Sequence, residues 1–358
     1  MASTLIKNIR LLAGVREDNF LLRGKQLAKL PAIEDAFLII QDGLIAAYGR
    51  MDDFVYRSSD FSRQVDAMDQ TVLPAWCDSH THLVFAGSRE PEFIDKIKGL
   101  SYAEIAAKGG GILNSVKKLN AVSENELFNL ACERLEEVSK LGTGAIEIKS
   151  GYGLTVEGEL KMLRVIKRLK EKSNLSIKST FLGAHTYPLE YKDNHQGYID
   201  LIINEMLPVI AHEKLADYID VFCETGFFSP EETETICKAG MRYGLKPKLH
   251  VNQLNSIGGI EAGIKINAIS LDHLETMTDE DISTLAKASL PTGGGGLEGA
   301  TIGTLLPTAA FFLRMPFQPA RKLIDAGCAI ALATDYNPGS SPSGNMNLVI
   351  AMSCIQMK

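Results

Sequence analysis

Several absences bound what this chain can be. No apolar run approaches the ~20 residues that a membrane-spanning helix needs, and Met1 to Leu12 lacks the apolar core and small-residue cleavage site of an export signal. Positive charge is in short supply: 37 Lys and Arg stand against 44 Asp and Glu, for a net charge of −7. That balance leaves no electrostatic footprint for nucleic acid or an anionic membrane. The six cysteines (Cys77, Cys132, Cys223, Cys237, Cys328, Cys354) form no Cys-x-x-Cys pair. Scattered thiols in a chain this long point to a reducing compartment and not to a disulfide framework. No Gly-x-Gly-x-x-Gly follows a first strand, so dinucleotide binding has no support. The expectation is a cytoplasmic protein without nucleic-acid or membrane partners.

What is present is ordinary globular composition, 45% hydrophobic and 23% charged over 358 residues. Residues 1–70 differ from the rest. Ala36-Phe37-Leu38-Ile39-Ile40 and Leu44-Ile45-Ala46-Ala47-Tyr48 flank Gln41-Asp42-Gly43, and Asp-Gly between apolar runs is a hairpin signal. This stretch holds no histidine and reads as a small structural β-domain. From residue 71 strand-like stretches alternate with helical patterns, at 71–78, 143–149, 177–183, 218–224, 247–252, 268–273, 301–306 and 329–334. Ser123-Glu124-Asn125-Glu126 and Ser229-Pro230-Glu231-Glu232 carry helix-start signals. Eight strands alternating with helices favour an α/β fold: a (β/α)₈ TIM-like barrel over 71–358, with a small N-terminal β-sandwich-type domain over 1–70.

The chemistry collects at the strand ends. Leu73-Pro74-Ala75-Trp76-Cys77-Asp78-Ser79-His80-Thr81-His82 places two imidazoles on one face of a strand, since residues i and i+2 point the same way. His-x-His alone is a weak signal. Five of the seven histidines, however, fall at predicted strand ends: His80, His82, His185, His250 and His273. Lys149, Tyr152, Glu224, Gln253 and Asp335 fall there too. Barrel enzymes build their sites at that rim. His80, His82 and His250 with Asp335 supply three nitrogens and a carboxylate, the donor set of a catalytic metal centre with an open position. His273 is the best candidate for a proton acceptor; the alternatives are a second ligand or a group behind the ligands. Arg89 can bind a carboxylate, although a salt bridge to Glu90 or Glu92 competes. Tyr102, Tyr152 and His185 can line the pocket or simply pack. Lys149 reads as structural, although a lysine at a barrel strand end can in principle bridge two metals; Glu224 reads as holding its loop, and His195 and His212 as surface or core residues.

These residues resemble the amidohydrolase superfamily of metal-dependent barrel hydrolases. Within it, four segments resemble the imidazolonepropionase family: His80-Thr81-His82-Leu83-Val84-Phe85-Ala86-Gly87-Ser88-Arg89, Lys149-Ser150-Gly151-Tyr152-Gly153-Leu154, Leu182-Gly183-Ala184-His185-Thr186 and Thr334-Asp335-Tyr336-Asn337-Pro338-Gly339-Ser340. The resemblance implies hydrolytic ring opening of 4-imidazolone-5-propanoate to N-formimino-L-glutamate in histidine degradation. It implies one zinc or iron per chain held by His80, His82, His250 and Asp335, with His273, Asp335 and Gln253 at the chemistry. It places Arg89, Tyr102, Tyr152, His185, Gln253, Asn337, Gly339 and Ser340 on a small anionic substrate, and implies a homodimer. Rival readings are another amidohydrolase, acting on a different cyclic amide or deaminating a nucleobase, and an inactive metal-binding remnant.

Two features depart from the family pattern. Gly293 to Ala300 interrupts the approach to the seventh strand, and four consecutive glycines there predict a flexible loop or a sequence artefact. The family continues beyond the position of Lys358 and returns to the small β-domain. The expectation is therefore a C-terminally truncated barrel and a small domain without its partner strands.

Overall fold

The computed structural model describes residues 3–17, 20–100, 104, 110–291 and 299–358. The predicted glycine-rich loop lies, from 292 to 298, outside the described residues, and so does Tyr102. By internal contacts the chain divides into two compact units, Met1–Ala75 and Trp76–Lys358.

The first unit is one five-stranded mixed sheet: β1 (Ser3–Ala13), β2 (Ala32–Gln41), β3 (Leu44–Arg50), β4 (Arg63–Asp66) and β5 (Thr71–Val72). β1 pairs antiparallel with β2 and parallel with β4 and β5. The Asp-Gly signal is the β2–β3 turn. Gln41 pairs with Leu44 across a two-residue loop in which Asp42 (φ 50°) and Gly43 (φ 82°) are both left-handed, as a primed hairpin turn requires. Ile9, Leu12, Ala36, Leu38 and Ala67 form its small core.

The second unit is an eight-stranded parallel sheet in sequence order: β6 (Trp76–Thr81), β7 (Thr143–Lys149), β8 (Ser176–Ala184), β9 (Tyr218–Cys223), β10 (Lys246–Val251), β11 (Ser270–His273), β12 (Ile302–Leu305) and β13 (Ile330–Leu332). Just beyond β13 the chain meets β6 again. The Asp335 N–H donates to the His80 carbonyl (3.0 Å) and the His82 N–H to the Tyr336 carbonyl (2.8 Å). Asp78 completes the seam, its carboxylate accepting from the Thr334 N–H (3.0 Å) and hydroxyl (2.6 Å). The result is a nearly closed TIM-like barrel.

One predicted strand is two. The stretch 71–78 divides into β5, which pairs with β1, and the start of β6. Pro74 lies between them; it lacks an N–H for either ladder, so the chain changes sheets there.

The helices form where the sequence places caps. The side chains of Ser123, Thr155, Ser229 and Thr278 each accept an N–H from the first turn of the helix they precede, and Ser229–Glu232 is a reciprocal box. In Val156–Lys172 the apolar positions Leu160, Leu163, Ile166 and Leu169 recur at helical spacing and are buried in the main core. Each such side chain contributes roughly 1.5–3 kcal/mol relative to exposure. Among the described residues, no helix is long and apolar enough to cross a membrane.

Candidate active site

The carboxyl ends of the strands bring the predicted ligands together. His80 and His82 come from β6, His250 from β10, His273 from the end of β11, and Asp335 from the turn after β13. All five are buried. His273 (φ 91°) and Asp335 (φ 54°) hold left-handed backbone conformations that cost of order 1–3 kcal/mol each for non-glycine residues. Strain of this kind persists where surrounding structure over-determines it, as it does here.

Three imidazole nitrogens converge. His80 Nδ1 lies 2.7 Å from Asp272 Oδ2. Asp272 is held below the usual carboxylate range, because against its burial the Lys248 and Lys149 ammonium groups favour the charge. An ionised carboxylate can only accept, so Nδ1 carries the proton and Nε2 presents a bare lone pair. That Nε2 is buried with no partner among the described residues. His250 Nε2 lies 3.4 Å from His82 Nε2. Asp335 Oδ1 lies 3.6 Å from His80 Nε2 and 3.5 Å from His82 Nε2. A tetrahedral shell with ligands at ~2.0–2.1 Å has edges of roughly 3.4 Å, so these separations fit one small cation. Among the described residues, two groups bring ligand atoms close enough to share an ion, His80–His82–His250 and His80–His273–Asp335.

Burial keeps the three imidazoles in ligating form. Burial, then neighbouring cations, hold His80 and His82 well below the ordinary histidine pKa. His250 is also lowered, by burial against the pull of Asp220. Burial pushes the Asp335 carboxyl up to about 7. His273 goes the other way. Although its burial disfavours the cation, Glu275 raises its pKa, with Oε1 at 3.3 Å from Nδ1. Gln318 Nε2 donates to the same oxygen (2.9 Å).

Beneath the ligands lies a layer that sequence reading missed. Lys149 is buried, with Nζ 3.0 Å from Glu147 Oε1, 2.9 Å from Asp220 Oδ2 and 3.9 Å from Asp272 Oδ2. Asp220 Oδ2 lies 3.0 Å from His250 Nδ1, and its Oδ1 accepts from the His250 N–H (3.1 Å). Lys248 Nζ lies 3.4 Å from Asp272 Oδ2 and donates to Ser270 Oγ (2.8 Å). The available signal was periodicity. Asp78/His80, Glu147/Lys149 and Lys248/His250 are polar pairs two apart within apolar strands, which is the inward face of a barrel.

Above the ligands a cavity of about 190 Å³ is lined by His82, Arg89, Tyr152, His185, His250, Gln253, His273, Asp335, Asn337 and Ser340, among others. Phe222, Phe227, Leu254, Leu313 and Met315 form an apolar wall. Arg89 is nearly buried, and its Nε and Nη1 have no hydrogen-bond partner among the described residues; the Glu92 carboxylate stands off at 3.6 Å from Nε. Lys96 lines the same cavity and donates to the Gly339 carbonyl (3.2 Å). Gly339 itself lies against Arg89, where any Cβ would fall inside the guanidinium. His185 Nδ1 donates to the Gly151 carbonyl (2.9 Å), and burial lowers its pKa to about 3, so it is neutral. His195 stacks on Tyr187, and His212 ends the helix Leu207–Glu213; neither joins the cluster.

Carboxylates clamp the loops that carry these groups. Glu224 accepts from the Leu254 N–H (2.8 Å) and Asn255 N–H (3.1 Å), holding the loop of Gln253. The Asn337 amide is engaged by its own turn, donating to the Asp335 carbonyl (2.6 Å) and Ser340 Oγ (2.8 Å) and accepting from the Gly339 and Ser340 N–H groups. Glu159 accepts from the N–H groups of Gly151 (3.0 Å), Gly153 (2.7 Å) and Leu154 (2.9 Å), and so fixes the loop of Tyr152. Glu159→Ala leaves three buried donors without an acceptor, and one such group costs ~1–3 kcal/mol. We expect a loss of about 3 kcal/mol in chemical denaturation; a loss below about 1 kcal/mol would show that water replaces the clamp.

No family model matches the chain. Over 99% of its length it is 58% identical to an imidazolonepropionase of Flavobacterium johnsoniae, covering 84% of that protein. It is 53% identical, again over 99% of its length, to an imidazolonepropionase of Christiangramia forsetii, of which it covers 83%. Solved structures with the same fold include a triazine hydrolase from Arthrobacter aurescens (TM-score 0.72, 14% identity, 100% of this chain and 76% of that one). A guanine deaminase from C. acetobutylicum is similar too (TM-score 0.66, 15% identity, 98% and 78%). The fold is thus shared with distant hydrolases, while identity above one half over nearly the whole chain is shared with proteins of one activity: the chain belongs to the imidazolonepropionase family.

Proposed function

We propose that this chain hydrolyses the ring amide of 4-imidazolone-5-propanoate, giving N-formimino-L-glutamate. Water adds to the ring carbonyl carbon, the C–N bond breaks, the carbonyl becomes a carboxylate, and the ring nitrogen leaves with a proton. The observation that carries the reading is a single cavity that joins converging imidazole lone pairs to a nearly buried guanidinium, two of whose nitrogens have no hydrogen-bond partner among the described residues. A neutral nucleobase offers such a guanidinium acceptors but no negative charge to neutralise, whereas the propanoate carboxylate offers both.

The residues fit a metal ion. His80, His82 and His250 would hold it through Nε2 and Asp335 through a carboxylate oxygen, and their imidazole-rich set suits zinc or iron. Such an ion supplies Lewis acidity, which makes water a competent nucleophile near neutral pH. His273 takes the water proton at Nε2, the nitrogen left free by Glu275 at Nδ1, and returns it to the departing ring nitrogen. Arg89 holds the propanoate. Tyr152, His185 and Gln253 flank the ring, and Ser340, its Oγ 3.4 Å from Asp335 Oδ2, keeps that carboxylate aimed. Asn337 and Gly339 act by shaping the turn and making room for Arg89.

The test is ultraviolet-monitored loss of freshly generated substrate by metal-quantified protein, beside cytosine and guanine. Turnover of the imidazolone alone, with about one metal per chain, is expected. Metal without turnover overturns the reading in favour of a binding remnant, and deamination overturns it in favour of that class. Sedimentation of the same sample tests the homodimer.

The pH profile gives a second check. His273 must be neutral to accept a proton, and its pKa lies above the ordinary 6.5. kcat/KM therefore falls about tenfold per pH unit as pH drops below that raised value. Glu275→Gln removes the charge that raises it, so the acid limb moves to lower pH. An acid limb that stays in place would assign it to another group.

A further inference from the structure

We propose that Lys149 is a positioning residue for the metal: buried beneath the ligands, its ammonium bridges Asp220 and Asp272, the two carboxylates that face the Nδ1 atoms of His250 and His80. The proposal rests on the assignment of those histidines as ligands. Nδ1 engagement decides which nitrogen of an imidazole is bare, and so aims Nε2. Asp272 on β11 hydrogen-bonds Nδ1 of His80 on β6 (2.7 Å), and Asp220 on β9 stands 3.0 Å from Nδ1 of His250 on β10 while accepting from its backbone N–H. Lys149 is the cation that reaches both, 2.9 Å from Asp220 Oδ2 and 3.9 Å from Asp272 Oδ2, while Lys248 lies 3.4 Å from Asp272 alone.

A purely structural role does not explain the arrangement. Barrel interiors are ordinarily filled by layers of branched apolar side chains. Ionised groups at such depth carry a desolvation penalty of several kcal/mol each, and replacing a buried ion network with apolar residues is often neutral or stabilising. Here two lysines and three carboxylates occupy the layer in contact with the ligands, while apolar packing is left to the rest of the core. Charge is placed where it can orient imidazoles.

The experiment measures zinc affinity of the metal-free full chain by chelator competition, together with the visible spectrum of the cobalt-loaded protein. Unmodified protein, Lys149→Met and the double variant Lys149→Met/Glu147→Gln are compared, with His82→Ala as the ligand control. The double variant restores the net buried charge without restoring the bridge. Both Lys149 variants should bind zinc about 10–100-fold more weakly and shift the cobalt bands, the double variant doing so although its thermal stability recovers. Unchanged affinity and spectrum in the folded double variant overturn the proposal. So does failure of both variants to fold, which makes Lys149 a stability residue only. Failure of the unmodified chain to bind zinc or cobalt, with His82→Ala indistinguishable from it, instead overturns the ligand assignment beneath the proposal.

Discussion

An Asp335→Ala chain is expected to lose ring opening by three to four powers of ten while keeping, or gaining, thermal stability in the metal-free state. The activity loss follows from two jobs vested in one carboxylate. It closes the donor set at 3.5–3.6 Å from two imidazole nitrogens, and it faces the base His273. Lewis-acid stabilisation of the transition state is worth several kcal/mol, and each 1.36 kcal/mol is a factor of about ten in rate. The stability change has the opposite sign because the side chain is a liability when no cation is bound. Its carboxyl is buried, and its pKa is pushed up to about 7. Catalytic groups held against their own solvation commonly trade stability for function in this way. Kinetics and calorimetry on the same metal-free and metal-loaded preparations check both halves. Activity within tenfold of the parent would remove Asp335 from the chemistry.

The second large effect is expected from Arg89→Met, which should lower kcat/KM by about two to three powers of ten, mostly through KM. Truncating one partner of a buried, hydrogen-bonded charge pair costs about 2–5 kcal/mol, and the substrate carboxylate would be that stranded partner. Among the described residues Arg89 Nε and Nη1 make no hydrogen bond, the Glu92 carboxylate standing 3.6 Å from Nε, and the backbone bonds of Arg89 to Pro338, Glu92 and Phe93 survive the substitution. Its removal should therefore leave the melting temperature nearly unchanged. Arg89→Lys should recover little, since a point charge cannot reproduce the planar fork. The control is an imidazolone lacking the propanoate: parent and variant should handle it equally poorly. If the variant is slower than the parent on that compound by the same factor as on the full substrate, the guanidinium acts on the ring and not on the carboxylate.

How far the site was readable depends on what each residue advertises. His80, His82, His250 and His273 stand out because histidine is scarce in this chain and falls at the ends of apolar strand patterns. The barrel was readable for the same reason, as alternating strands and capped helices leave few other architectures. Asp220 and Asp272 were not singled out, because a carboxylate inside a strand pattern reads as an ordinary solvent-facing alternate. Only closure of the sheet turns that face inward. Glu159 sits in the first turn of its helix, where an acidic residue is expected for the dipole alone; its grip on the 151–154 backbone depends on a fold-level approach. Glu275 and Gln318 are 43 residues apart, and no local pattern links them. The division of 71–78 at Pro74 was available in principle and was outweighed by the apolar run. Gly339 was expected at the substrate; the structure places it against Arg89, a steric relation that no sequence signal carries.

The seam of the barrel has a kinetic consequence. Asp78 and Thr334, 256 residues apart, join the first barrel strand to the turn after the last, and the proposed cation ligands His80, His82 and Asp335 flank that junction on both sides. Contacts of such sequence separation are the last whose loop-closure entropy can be recovered during folding. An ion shared across the junction therefore acts as a rivet set after the staves are in place. Its dissociation would open the structure first along a line between β6 and the Thr334–Tyr336 turn, so amide hydrogens at His82 and Asp335 should report metal occupancy before any global transition does.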